Sequence, residues 1–217
     1  MSAAAHTVVG MSTFDVRGLD RRAVALATEV VERVQDDDLD RPTPCEGWTV
    51  RDLLRHMAAQ HRGFAAAARG RGDVVESWAP PAGSDTDPVE AHQAAAADVV
   101  VAFAAADLDA AELTLPDFGG RAFPARQAMS FHAIDYLVHA WDVGASIGAP
   151  VRPDDDLLPA ALDITLAVPV GDARTRPGAA FAPVLAGVDA EPDPWRRILR
   201  MLGRDPDWSA PAQDGQR

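Results

Sequence analysis

The sequence predicts a mostly helical fold. Three observations lead there: long stretches whose apolar residues recur at spacings of three and four, start and stop signals at the ends of those stretches, and a single short segment that could form a hairpin. Apolar residues make up 47% of the 217 residues and charged ones 24%, the balance of an ordinary globular chain, so wholesale disorder and fibrous repeats are excluded. That length suits one core, and the expected organisation is a flexible start over 1–13, one domain over 14–208 and a disordered tail over 209–217.

The first helix is expected between Leu19 and Val34, where Leu19, Ala23, Leu26, Ala27, Val30 and Val34 share one face. Arg41 to Trp48 interrupts it with Pro42, Pro44 and Gly47 and reads as a structured loop. Thr49 followed by Asp52 forms a capping pair, so a second helix should run from Val50 to Ala68. The loop from Asp73 to Asp87 is expected to carry Trp78 toward a pocket rim, and Asp87-Pro88 then starts a third helix reaching Ala106. Ala111 to Pro124 fits a small hairpin or an extended loop better than a helix, because Pro116 and Gly119-Gly120 break the pattern. Pro124 opens a fourth helix that Gly148 and Pro150 end near Ile147. A fifth is expected over Asp154–Val168, interrupted near Pro159, and a short closing helix over Pro194–Leu202; the Gly- and Pro-rich stretch between them should pack in extended form.

Thirty-three acidic residues face 20 basic ones, for a net charge of −13, and no basic stripe with interleaved aromatics stands out, so nucleic acid is excluded as a partner. Cys45 is the single cysteine and cannot form an internal disulfide. No apolar run approaches a membrane span, and Met1 to Gly10 lacks the basic start and apolar run of a secretory signal; the expected address is the cytoplasm.

The chemistry concentrates on the fourth helix. His132, Asp135, His139 and Asp142 follow at steps of three, four and three, within an arc of about 80°. Ala128, Tyr136 and Val143 lie on or beside that face, so the polar stripe points inward, where ionisable groups must be paired or must bind a cation. An Asp four residues before a His can place an oxygen and a nitrogen on one ion, and a third ligand must come from a neighbouring helix. Periodicity on the second helix leaves His56 and His61 as equal candidates for it.

Pro42-Thr43-Pro44-Cys45-Glu46-Gly47-Trp48-Thr49-Val50-Arg51-Asp52-Leu53-Leu54-Arg55-His56-Met57, then Asp135-Tyr136-Leu137-Val138-His139-Ala140-Trp141-Asp142-Val143, and finally Leu202-Gly203-Arg204-Asp205-Pro206 resemble the landmarks of one family. It is the bacterial DinB-like metal-binding superfamily, in the branch of the mycothiol-dependent maleylpyruvate isomerase N-terminal domain. The resemblance implies an antiparallel four-helix bundle and a His, carboxylate, His metal site, here His56, Asp135 and His139. The isomerase resembles this pattern with Glu as its carboxylate, where this chain has the shorter Asp135.

Three protein ligands leave a cation an open position for water or a thiolate. The resemblance implies a metal-dependent thiol S-transferase or thiol-assisted isomerase acting on an electrophilic small molecule, with mycothiol or another low-molecular-weight thiol as cofactor. The metal is expected to be zinc, with nickel, iron and manganese suited to the same ligands. His61 and His132 are the candidate acid–base residues, each weighed against packing in the core. Asp142 is read as a partner for a ligand imidazole or an Arg, Cys45 as buried packing, Trp48 and Trp141 as core anchors, His92 as incidental, and the Arg residues mostly as solvated partners. A second reading is a non-catalytic bundle that a metal braces and whose apolar surface dimerises. A third is a biosynthetic enzyme on the same bundle that works through His132 or His61 without metal.

Overall fold

The computed structural model describes residues 14–79, 86–176 and 179–211, so the expected flexible start and the end of the tail lie outside the described residues. The fold is all-α and DinB-like. Its helices are α1 (Val16–Val31), α2 (Val50–Ala68), α3 (Pro88–Ala105), α4 (Ala125–Ser146), α5 (Leu158–Leu166) and α6 (Pro194–Met201). A single hairpin of β1 (Glu112–Leu115) and β2 (Arg121–Pro124) precedes α4, paired antiparallel from Glu112 opposite Pro124 to Leu115 opposite Arg121.

Local chemistry sets most boundaries. α2 spans the expected residues because Thr49 accepts from the Asp52 amide while the Asp52 carboxylate accepts from the Thr49 amide. α1 begins three residues earlier than its apolar stripe suggests, since the Asp15 side chain accepts from the Gly18 amide and fixes the start. Pro159 does not interrupt α5; it sits in its first turn, behind a 3₁₀ turn over Asp155–Leu157. The segment expected to be extended after α5 contains 3₁₀ turns at Gly171–Arg174 and Val188–Ala190, and the guanidinium of Arg174 is buried on the Pro169 and Ala182 carbonyls.

α1 packs against α4 and α3, and α2 against α3 and α4, so the sequence-adjacent pairs α1/α2 and α3/α4 lie on the diagonals. α2 and α4 run antiparallel, for His56 faces His139 and His61 faces His132. α1 and α3 do too: Arg17, at the start of α1, donates to the Phe103 and Ala106 carbonyls at the end of α3. α2 and α3 point the same way, with His61 beside His92 and Arg69 paired with Asp98. The connection between them must therefore return along the bundle, which explains the long stretch after Ala68.

That return path is pinned on α2. The 3₁₀ turn Val75–Trp78 lays Trp78 over Gly63, and its indole nitrogen donates to the Gly72 carbonyl at 2.9 Å. A Cβ at Gly63 would fall inside the indole ring. Gly63→Ala is expected to displace Trp78 and cost about 1–3 kcal/mol, read as a lower melting temperature with a changed tryptophan emission.

The core follows the apolar faces. Leu53, Leu54 and Met57 of α2 meet Ile134, Leu137 and Val138 of α4 and the Val30–Val31 end of α1, all without exposed surface or nearly so. Each large side chain buried there contributes roughly 1.5–3 kcal/mol. Ile198, Leu199 and Leu202 of the C-terminal segment join the same core, which fastens that segment to the bundle beside the last turns of α4.

Candidate metal centre

α2 and α4 bring three of the expected side chains together. One ligand atom each from His56, Asp135 and His139 lies within 4.8 Å of the others, and the Nε2 of His139 is 3.5 Å from an Asp135 oxygen. The His56 and His139 rings meet edge to face with centroids 5.5 Å apart. His56 and Asp135 are half-buried whereas His139 is buried, so the trio sits at the edge of the bundle with its open side toward solvent. Two imidazoles and one carboxylate converging at this separation fit a divalent cation of the zinc type.

The second nitrogen of His139 is also engaged. Its Nδ1 donates to Asp142 Oδ2 at 3.0 Å, which directs Nε2 toward the trio. Asp142 has no exposed surface and is held by Arg204, whose Nε lies 3.1 Å from Oδ1 and whose Nη2 lies 3.1 Å from Oδ2. Arg204 Nη2 also approaches Cys45 Sγ at 3.3 Å, and Cys45 Sγ lies 3.4 Å from Asp142 Oδ2. Cys45 is therefore part of a polar cluster rather than packing, and Arg204 is a buried counter-ion rather than a solvated one. Arg204 arrives from beyond α6, where its amide donates to the Leu199 carbonyl and Gly203, at φ +75°, turns the chain.

Electrostatics separates the two imidazoles. Burial pushes His56 down to about 4, with His139 adding to the effect against Asp135, so His56 is neutral at pH 7 with a free lone pair. Burial alone would depress His139 as well, but Asp135, the hydrogen bond to Asp142 and Cys45 outweigh it and hold its pKa well above the usual imidazole value. Burial would raise Asp142, yet Arg204 and His139 bring it down to about 2. Trp48 stands 4.9 Å from the His56 ring and is 37% exposed; it lines the open side of the trio, contrary to the expected core anchor. Trp141, at 4%, is the anchor.

His61 and His132 are brought together elsewhere. His61 Nδ1 and His132 Nε2 are 3.0 Å apart, and His132 Nδ1 is 2.6 Å from Asp20 Oδ1. With Asp20 ionised, the order of donation runs from His61 to His132 to Asp20, leaving His61 Nε2 as a lone pair. Tyr136 stacks on His61 at 3.8 Å and donates its hydroxyl to the Met57 carbonyl. His92 completes this layer 5.1 Å from His61, so one residue or more from each of α1 to α4 contributes to it. Neither His61 nor His132 has exposed area, so each acts on its buried neighbours. His92 is not incidental: it is fully buried, and among the described residues neither of its nitrogens, nor His61 Nε2, has a hydrogen-bond partner.

His92 makes the fold acid-sensitive. Burial lowers its pKa to about 4, from an ordinary 6.5, so the folded state resists its protonation. Stability from this group is complete above pH 6.5 and is lost as pH falls toward 4, by on the order of 3 kcal/mol. His92→Phe is expected to leave stability at pH 7 unchanged or higher and to flatten the acid side of a melting-temperature profile between pH 6.5 and 4.

The sequence held a signal for Asp20, an acidic residue between Leu19 and Ala23 on a buried face; Asp142 holds both an imidazole and an arginine, in keeping with its expected role, but no spacing pointed to Arg204, 62 positions away, as the arginine.

The family model of the mycothiol maleylpyruvate isomerase N-terminal domain matches residues 21–144. Two uncharacterized proteins from strains of Mycobacterium tuberculosis are each 33% identical over 191 residues, covering 85% of this chain and 94% of theirs. Among solved structures, mycothiol-dependent maleylpyruvate isomerase superposes with a TM-score of 0.50 at 19% identity, and a mutant of it with 0.53 at 17%; each match covers 70% of this chain and 67% of the other. At that identity the likeness shows the fold.

Proposed function

Since the chain belongs to the mycothiol maleylpyruvate isomerase N-terminal-domain family, we propose that it is a metal-dependent enzyme joining a low-molecular-weight thiol of the mycothiol type to an electrophilic small molecule, as an S-transferase or a thiol-assisted isomerase. The observation that carries this reading is the convergence of His56, Asp135 and His139 within 4.8 Å on the half-open edge of the bundle. Those three side chains would hold a divalent cation, zinc first among the candidates, with fewer protein donors than a closed structural site has. When bound, the cation supplies Lewis acidity that keeps a thiol in its nucleophilic form near neutral pH.

The chain's own residues do the rest. Asp142 fixes the His139 ring and the position of the Nδ1 proton, and Arg204 keeps Asp142 ionised in the core. Neutral His56 offers its lone pair without first losing a proton at pH 7. Trp48 limits water on the His56 side. The identity of the thiol rests on the names of the structural neighbours, and Asp135 in place of a longer Glu leaves the particular reaction open to assay.

The test is a thiol-consumption assay on zinc-loaded protein with a panel of enones, epoxides, maleimides and alkyl halides. Consumption that a chelator stops, and that His139→Ala lacks, is the expected result. A protein that takes up zinc and consumes no thiol with any electrophile would sink the proposal.

A further inference from the structure

The face of α2 and α4 that carries the metal trio changes character one helical turn away. On α2, Gln60 follows His56 by four residues on the same face; on α4, Phe131 precedes Asp135 by four. Since the two helices are antiparallel, Gln60 and Phe131 stand at the same end, about 6 Å along the axes from the trio.

The tip of the β1–β2 hairpin docks onto both. Gln60 Nε2 donates to Asp117 Oδ2 at 3.3 Å, and the Phe118 ring stacks on Phe131 with centroids 5.3 Å apart at 21°. Phe123 closes the group edge-on to both rings, at 5.1 and 5.4 Å. Arg121 covers Phe123, which is itself buried, so the rings left partly open are Phe118, 38% exposed, and Phe131.

The tip is built rather than slack. A 3₁₀ turn at Pro116–Phe118 is followed by Gly119 and Gly120, both at positive φ, and their amides donate to the Pro116 and Leu115 carbonyls at 2.8 and 3.2 Å. An aromatic ring is thus held at the surface by a rigid turn, one helical turn along α2 and α4 from the trio. Among the described residues neither Asp117 nor Asp135 forms an ion pair with an arginine; Asp117 accepts from Gln60, Asp135 lies beside His139, and the Arg121 guanidinium sits over Phe123.

Resting on the proposed function, we infer that Phe118 and Phe131 are specificity-determining residues, and that they take a flat aryl group of the electrophile about one helical turn from its reacting carbon. Two partly open rings held rigidly at the surface suit such a group by offset or edge-to-face stacking.

Two measurements on the full chain test this separately from the metal. In chelator-treated protein, the neutral fluorophore N-phenyl-naphthylamine should bind at one saturable site, weaken about tenfold or more in Phe118→Ala, recover in Phe118→Tyr, and be indifferent to His139→Ala. In zinc-loaded protein, calorimetry should give phenylpropanohydroxamate an advantage of about tenfold over acetohydroxamate, and Phe118→Ala should erase that advantage without changing acetohydroxamate affinity. A fluorophore that fails to saturate, or binds equally to Phe118→Ala and wild type, overturns the inference whatever zinc does. Failure of both hydroxamates to bind while the fluorophore arm succeeds sinks the metal reading and leaves the aryl site standing.

Discussion

Replacing His139 with alanine is expected to lower zinc affinity by more than about a hundredfold, the largest single effect in the molecule. His139 is where the trio and the Asp142–Arg204 pair meet, one imidazole nitrogen serving each. Removing it takes away a donor and also leaves Asp142 without one of its partners. Changing the support alone should cost less: Asp142→Asn keeps all three donors and is expected to weaken zinc by about 10–100-fold. The pH dependence has a definite sign. His139 carries a proton at neutral pH, because its pKa is held above the usual imidazole value, and a cation must displace it; His56, at about 4, is already free. Apparent zinc affinity should therefore rise about tenfold per pH unit near neutrality, with close to one proton released per zinc. Calorimetry in buffers of different ionisation enthalpy measures that release directly. Zinc uptake by His139→Ala at wild-type affinity would place the metal elsewhere.

Removing the guanidinium of Arg204 is expected to have the largest effect on stability. Asp142 is fully buried and is brought down to about 2 chiefly against the cost of its own burial, by Arg204 first and His139 second. Arg204→Met would leave that carboxylate facing only His139 and Cys45, and breaking a buried pair of this kind costs about 3–5 kcal/mol. For a chain of this size the melting temperature should fall by roughly 6–20 °C. The double variant Arg204→Met with Asp142→Asn should recover most of the loss, because it removes the charge that the single change strands. Equal melting of Arg204→Met and wild type, measured without metal, would show that the pair contributes nothing to the fold.

What could be read from the sequence was what local chemistry decides. The limits of α2 follow from Thr49 and Asp52, three residues apart, and the shared face of Asp135 and His139 follows from helical geometry alone. The choice of His56 over His61 was different: periodicity could not make it, the family resemblance could, and the coordinates set His56 beside His139 while turning His61 inward to His132. Trp48 reads as a core residue because it is large and apolar, yet the loop that Gly47 bends at φ +79° carries it to the edge, and nothing short of the tertiary path reveals that. Cys45 and His92 were misjudged for the same reason. Their partners, Arg204 and Asp142 for one and the His61 layer for the other, come from distant elements, and pairing across such distances leaves no period in the chain.

The family match ends at residue 144, within α4, so it contains His56, Asp135, His139 and Asp142 but not Arg204. The bundle supplies all three side chains of the trio, and a separate piece of chain, anchored through Ile198, Leu199 and Leu202, supplies the guanidinium that keeps the carboxylate behind His139 ionised. Trio and support thus come from different parts of the chain. Exchanging the C-terminal segment would change how firmly the His139 ring is braced without touching the trio, a route by which a single scaffold can be retuned.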